Sequence, residues 1–353
     1  MADSLSSIGR LKGSTAELNS RLQQDAKERE AEGKRQGSII LSQNDVLTGN
    51  WDAHKVLFTT LGGQIRPITA EDLATFRRNI NTAQQKLKKG VTAQQVIDWS
   101  AGIVTGNIKS DLSRARDEIK MAVPVGAQKG RLRFITNAGP DSKVSRHHVI
   151  VEFLNYGAEA ASGSSTARQS ALRLRRGPIK IECDCERWRY WFRYIATIGG
   201  FNAGRAETGF PKIKNPRLQG IACKHIVKVM HEVKSGGAAL NYMVRLMEKA
   251  KASDTGHAEL RMRQAAAERA AKNQARSQNN IKTSEQKRQE RSAAQARKDA
   301  AEKLKLQHQK QPHQKRKRPN KKQVNDALSV LSQQFPNLTR DQILAMLTQA
   351  NQG

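Results

Sequence analysis

The chain has 353 residues, 37% of them hydrophobic and 5% aromatic, and 62 Lys and Arg against 32 Asp and Glu leave a formal charge of +30. That length allows one large domain or two ordinary ones, the composition argues against a core over the whole of it, and the charge selects polyanionic partners, nucleic acid first. No run of 18 or more apolar residues and no basic start before an apolar block occur, so neither a membrane span nor a secretory signal is expected, and the expected setting is intracellular and reducing, where thiols stay free for metals.

Residues 1–50 read as weakly ordered: "TAELNSRLQQDAKEREAEGKRQ" has helical composition but few large apolar residues. Over 51–122 the pattern becomes helical and amphipathic. "PITAEDLATFRRNINTAQQKL" opens on Thr69 and Asp72 at capping-box spacing, and Leu73, Phe76, Ile80 and Leu87 recur at helical intervals. Thr92 and Gln95 repeat the device, and "NIKSDLSRARDEIKMAV" predicts a third helix.

Over 123–250 the period shortens. "RLRFITNA", "HHVIVEFLNY" and "PIKIECDC" predict three strands, with "GAEAASGSSTARQS" as a loop between the last two. "ACKHIVKVMHEV" returns to helix with Ile226, Val229 and Met230 on one face, "SGG" breaks it, and "AALNYMVRLMEKAKA" predicts the next helix. Residues 251–322 carry 21 Lys and Arg against 7 Asp and Glu and read as a solvated single helix or a disordered arm. Residues 323–353 regain periodicity through Val324, Leu328 and Leu331, turn at Phe335-Pro336, and start again with Thr339, Gln342, Ile343 and Leu347, which predicts a helical hairpin. The expected fold class is α+β: N-terminal helices, a small antiparallel sheet with a zinc-bound ββα-like module, a basic arm and the hairpin.

All three cysteines fall in one segment, as Cys183-x-Cys185 and then Cys223-x-His225. An odd number of cysteines in a reducing setting argues against a disulfide framework. Cys183 and Cys185 end a predicted strand, and residues two apart share a strand face. Cys223 and His225 sit where a helix begins, and unpaired N–H groups there favour thiolate. Four such ligands fit one tetrahedral, structural zinc ion and leave no open position for catalysis. The competing reading is three unconnected buried cysteines and a core histidine. Arg187, Arg189 and Lys224 are near in sequence and would offset the charge of the thiolates.

"CDC" followed by "CKHIVKVM" resembles the SWIM-type zinc finger, whose pattern is Cys-x-Cys, a variable gap, then Cys-x-His. The resemblance runs from Lys180 to Val233. It implies Cys183, Cys185, Cys223 and His225 as ligands, the first pair on a β-hairpin, the second opening a helix, and binding to DNA or protein. The family occurs in transposases, chromatin-associated ATPases and ubiquitin ligases. The spacer over 186–222 is longer than the family's usual one and is similar to long-spacer versions in virion proteins of tailed bacteriophages.

The spacer begins "RWRYWFRY". In one reading Trp188, Tyr190, Trp191, Phe192 and Tyr194 pack a small core around the metal. In the other the rings, Trp188 among them, stack on bases while Arg187, Arg189 and Arg193 contact phosphates. His147 and His148 suggest a second metal site, but neighbouring strand residues point to opposite faces and do not easily share an ion. "KRKRPNKK", with Lys315, Arg316, Lys317 and Arg318, resembles a nuclear-targeting or nucleic-acid patch, and contact with nucleic acid by charge is the simpler expectation. "QFPNL" near the end resembles the CUE branch of ubiquitin-binding domains, with Gln334 where that family has Met, and no ubiquitin binding is carried over.

Walker, dinucleotide-binding, His-Glu-x-x-His and nucleophile-elbow patterns are missing from the sequence. The expected function is therefore a non-enzymatic, zinc-stabilised nucleic-acid-binding protein, DNA ahead of RNA, phage-encoded and virion-associated. The alternatives are an assembly protein that contacts other virion proteins, or itself through 323–353, and a transposition or recombination accessory factor.

Overall fold

The computed structural model describes residues 14–34, 40–49, 57–104, 109–140, 142–277, 279–310, 320–336 and 339–350. The chain divides into two compact units, Met1–Arg288 and Gln289–Gly353. The domain edges expected at 122/123 and 250/251 fall inside the first unit.

The first unit starts with α1 (Ser14–Lys34), α2 (Gln43–Thr48) and a two-stranded ribbon, β1 (Phe58–Thr59) with β2 (Arg66–Pro67). Next come α3 (Ala70–Leu87), β3 (Val91–Thr92), α4 (Ala93–Trp99) and α5 (Asp111–Glu118). Thr69 with Asp72 and Thr92 with Gln95 form the two expected capping boxes, so side chains satisfy the first free N–H groups of α3 and α4. Leu73, Phe76, Ile80 and Leu87 all face the core.

The sheet follows: β4 (Ala122–Gln128), β5 (Arg131–Asn137), β6 (Arg146–Phe153), then α6 (Tyr156–Ala161), α7 (Ala167–Leu174) and β7 (Pro178–Cys183). A π turn (Trp188–Phe192) leads into α8 (Arg193–Ile198), and α9 (Lys224–Ser235), α10 (Gly237–Lys251), β8 (Glu259–Arg261) and α11 (Gln264–Arg276) come after it. Strand order is β3-β7-β6-β5-β4-β8, antiparallel throughout. The β4–β5 turn is Lys129-Gly130, both at positive φ, as a two-residue hairpin of this twist requires. A Cβ on Gly130 would stand 2.6 Å from Tyr156.

Alternate residues Leu132, Phe134, Val149, Val151, Ile179 and Ile181 bury one sheet face. Against them lies α9, buried almost all round and flanked by α4 and α5. The other face carries a smaller core of Met121, Val123 and Ile135, closed by Ala267 and Ala271 of α11. The α+β class and the three expected strands are present.

Four stretches differ from the reading by pattern. Residues 121–123 continue into β4, not into the third helix, because Asn137 ends α5: its Nδ2 donates to the Glu118 carbonyl while its Oδ1 accepts from the Lys120 and Met121 N–H groups. The expected loop after β6 holds α6 and α7, the latter capped by a Thr166–Gln169 box. Residues 259–276, expected in the basic arm, supply β8 and α11, whose small buried alanines fit close to the sheet without large apolar residues. Finally, α1 docks mainly by charge: Glu17 and Arg21 pair with Arg146 and Asp184, and buried Asp25 pairs with Arg189 and Arg193.

Beyond Lys282 the chain forms one helix, α12 (Ser284–Lys310), exposed over 288–306. In the second unit α13 (Lys321–Gln334) and α14 (Arg340–Ala350) make the hairpin, with Leu328 and Ile343 buried between them. Lys315, Arg316, Lys317 and Arg318 lie outside the described residues. Among the described residues no helix is long and apolar enough to cross a membrane.

Arg193 is 1% exposed and is held between Asp25 and Glu182. Asp25→Ala is expected to destabilise the first unit by about 3–5 kcal/mol, the range for a buried pair that loses one partner. A urea titration of the full chain reads this as a lower midpoint; an unshifted midpoint would mean that α1 is not anchored by charge.

Candidate metal centre

Cys183 is the last residue of β7, and Cys185 stands just before the helical turn at 186. The Trp188 N–H donates to Cys185 Sγ at 3.4 Å. Cys223 is the N-cap of α9, with extended backbone (φ −80, ψ 164), and His225 lies in its first turn. Two helix starts and a strand end thus meet at one point. Backbone N–H groups point toward sulfur at both places, Trp188 toward Cys185 and Ile226 toward Cys223. The first pair occupies a strand-to-helix junction where the resemblance implies a β-hairpin.

One ligand atom from each of Cys183, Cys185, Cys223 and His225 lies within 4.8 Å of all the others, and all four residues are buried. Cys223 Sγ and His225 Nδ1 are 3.9 Å apart. A tetrahedron with metal–sulfur bonds of about 2.3 Å and metal–nitrogen bonds of about 2.0–2.1 Å has edges of about 3.5–3.8 Å. The cluster therefore fits a metal ion with little movement.

Protonation agrees with that use. Burial pushes His225 below its ordinary value, so the imidazole is neutral and keeps a lone pair. Burial and the neighbouring sulfurs push Cys183 well up. Burial opposes ionisation of Cys223 as well, but bonds from Cys183, Cys185 and the Ile226 N–H outweigh it and hold that thiol well below the usual range. Three crowded sulfurs cannot all ionise by themselves; a cation that displaces their protons resolves the conflict.

Asp184, between the two cysteines, turns out to be a hub. His147 Nδ1 and His148 Nδ1 each lie 2.9 Å from one of its oxygens, the His148 backbone N–H donates at 3.1 Å, and Arg21 donates at 2.8 Å. Burial alone would push this carboxyl up; the two imidazoles hold it far below the usual carboxylate range. Neither His147 nor His148 belongs to the group that could hold an ion; both turn to Asp184 instead. The carboxylate lies past the end of β7, opposite both residues, and offers one oxygen to each ring. The His147 ring also lies 4.3 Å from the His225 ring, centroid to centroid, so Asp184 steadies a ligand through an intermediary. A cleft of about 540 Å³ reaches His147, Asp184, Cys185 and His225 from outside.

The "RWRYWFRY" stretch serves the interior. Trp188 and Phe192 are fully buried, so Trp188 is not a stacking platform for bases. Arg187 grips Asp111 with bonds of 2.9 and 2.7 Å. Arg189 meets Asp25 at 2.8 Å, and Arg193 is enclosed by Asp25 and Glu182. The assignment of Arg187, Trp188, Arg189 and Arg193 to nucleic acid is thus corrected: the ring is inside, and carboxylates already occupy the guanidinium groups. Lys224 pairs with Glu118. Asp25 and Asp111 gave no sign in the sequence, because each meets its arginine only after folding. Asp184 could have been suspected from its place inside the cysteine pair.

Compared with protein-family models, curated proteins and solved structures, the chain matches none.

Elemental analysis of protein purified without chelators is expected to find one metal ion per chain. Cys223→Ser should lose that ion and melt at a lower temperature. A metal-free parent that melts as sharply as the loaded protein would refute the site.

Proposed function

We propose that Cys183, Cys185, Cys223 and His225 hold one structural Zn²⁺ in a SWIM-like module, and that the protein is a non-enzymatic, nucleic-acid-binding protein. Three sulfurs and one imidazole are the donor set that borderline-soft zinc prefers in closed four-ligand sites. The resemblance of the Cys-x-Cys and Cys-x-His pattern supports the same assignment. The observation that carries the reading is that all four donors meet at one buried point.

The polyanion part of the reading rests on the formal charge of +30. Since the arginines beside the cysteines are engaged internally, its weight moves to the C-terminal third. There α12 exposes Arg288, Arg291, Arg297, Lys298, Lys303 and Lys305 to water, and the "KRKR" run follows in the sequence. Such a surface recognises phosphate charge with little sequence preference, DNA ahead of RNA.

A second reading, an assembly protein, draws on a different observation. The hairpin exposes Val330, Phe335 and Leu344, and a groove of about 370 Å³ opens beside Leu328 and Ile343. Apolar residues kept in water suit contact with another protein or a second copy. The spacer's likeness to tailed-phage virion proteins supports a virion-associated role within either reading.

Salt separates the first reading from a merely basic protein. With about 6–10 phosphate contacts, affinity for duplex DNA should fall about 10³–10⁵-fold between about 50 and 200 mM salt. A flat response would end the nucleic-acid reading. Removal of residues 323–353 should leave this response intact; loss of oligomeric state in that variant would favour assembly.

A further inference from the structure

The first unit gathers positive charge at a second place, one that no local motif marks. A pocket of about 360 Å³ is lined by Thr92, Gln94, Leu172, Arg175, Arg176 and Lys234. Three elements build it: the N-terminal turn of α4, the residues after α7 and the last turn of α9. A fourth, the first turns of α12, brings Lys287 to Gln94 of that lining. The ammonium groups of Lys234 and Lys287 both donate to Gln94 Oε1, the second at 3.0 Å.

The amide of Gln94 is held in that orientation. Its Nε2 donates to Asp98 Oδ1 at 2.7 Å, which turns Oε1 toward the lysines. Asp98 is itself engaged by the Ser284 N–H and hydroxyl, each at 2.7 Å. Glu232, on α9, takes Lys228 at 3.0 Å. Arg175 is spent on the carbonyls of Val233 and Gly236, where it caps the end of α9, and Arg176 is exposed. Two lysines therefore converge on one neutral oxygen, with two guanidinium groups beside it.

Positive charge packed this way costs free energy unless an anion joins it. One member of the pair and one neighbour report the same field. Burial, then Lys287, pushes Lys234 down to about 8. Burial, then Lys228, Lys287 and Lys234, pushes His231 down to about 4.

We propose that Lys234, Lys287 and Arg176 bind a phosphate group in this pocket. A compact anion with several oxygens could accept from both ammonium groups and from the Arg176 fork at once, which a single amide oxygen cannot do. Nucleic-acid backbone and a free or small-molecule phosphate share this chemistry. The site belongs wholly to the first unit and does not rest on the metal centre or on the basic C-terminal third.

The test is a titration of the full chain with inorganic phosphate at constant ionic strength, balanced with chloride. Saturable binding is expected, and Lys234→Gln and Lys287→Gln should each weaken it about tenfold or more, as loss of a charged hydrogen bond does. Without phosphate, each variant should melt no lower than the parent, because repulsion is relieved. No saturable response in the parent, or variants that bind phosphate like the parent, would overturn the proposal. A short single-stranded DNA then identifies the source. If it displaces phosphate and is itself weakened by both substitutions, the occupant is nucleic-acid backbone. If DNA binding is untouched while phosphate binding is lost, the occupant is a free or small-molecule phosphate. Because the inorganic arm needs no nucleic acid, the site can fail while the salt-dependent DNA reading stands, and the reverse.

Discussion

Three thiols crowded against a buried imidazole form an arrangement that can hold a cation. If all three sulfurs ionise, like charges lie within a few ångströms in a poor solvent for them. If all stay protonated, the N–H groups directed at two of them face weaker acceptors. The surrounding structure is consistent with the first state balanced by metal. The end of β7, the turn at Trp188 and the start of α9 all converge there. Since α9 runs between the sheet and helices α4 and α5, whatever fixes its first turn sets the seating of the central helix.

A second layer of charge holds that centre in place. Asp184 keeps two imidazoles, one of which lies tilted against His225. Asp111 meets Arg187 behind Cys185, and Glu118 meets Lys224 behind Cys223. The N-terminal helix α1 enters the same network through Glu17, Arg21 and Asp25. Hydrophobic periodicity is weak in α1, so specific pairing replaces an apolar stripe as the reason it lies where it does. Partly dry ion pairs are costly to leave half-made, and this makes them selective for one docking geometry.

Much of this was legible in advance, for definite reasons. Capping boxes at Thr69 and Thr92 are local, so spacing alone reveals them. The three central strands alternate because one face is buried. The four candidate ligands stand out because the three cysteines and His225 fall in two tight pairs. What stayed hidden was non-local. Asn137 ends α5 from a strand that comes later, so "DEIKMAV" looks like unbroken helix. Ala267 and Ala271 are core residues only because the sheet passes close to them; in an Ala- and Gln-rich stretch nothing distinguishes them from solvated alanines.

Positive charge shows the same limit most sharply. "RWRYWFRY" is the densest mixture of arginine and aromatic residues in the chain, and apart from the exposed Tyr190 it is largely turned inward, its arginines met by Asp25, Asp111 and Glu182. Lys234 and Lys287 lie far apart in sequence within unremarkable helices, yet folding leaves them sharing one amide oxygen. Local density of cations measures what must be neutralised; it does not say whether the neutralising group is already in the protein. Only the folded arrangement tells an arginine paired with a carboxylate from a lysine that shares an amide oxygen. A search for polyanion contacts in a chain this basic should therefore begin where carboxylates are lacking, not where arginines are most numerous.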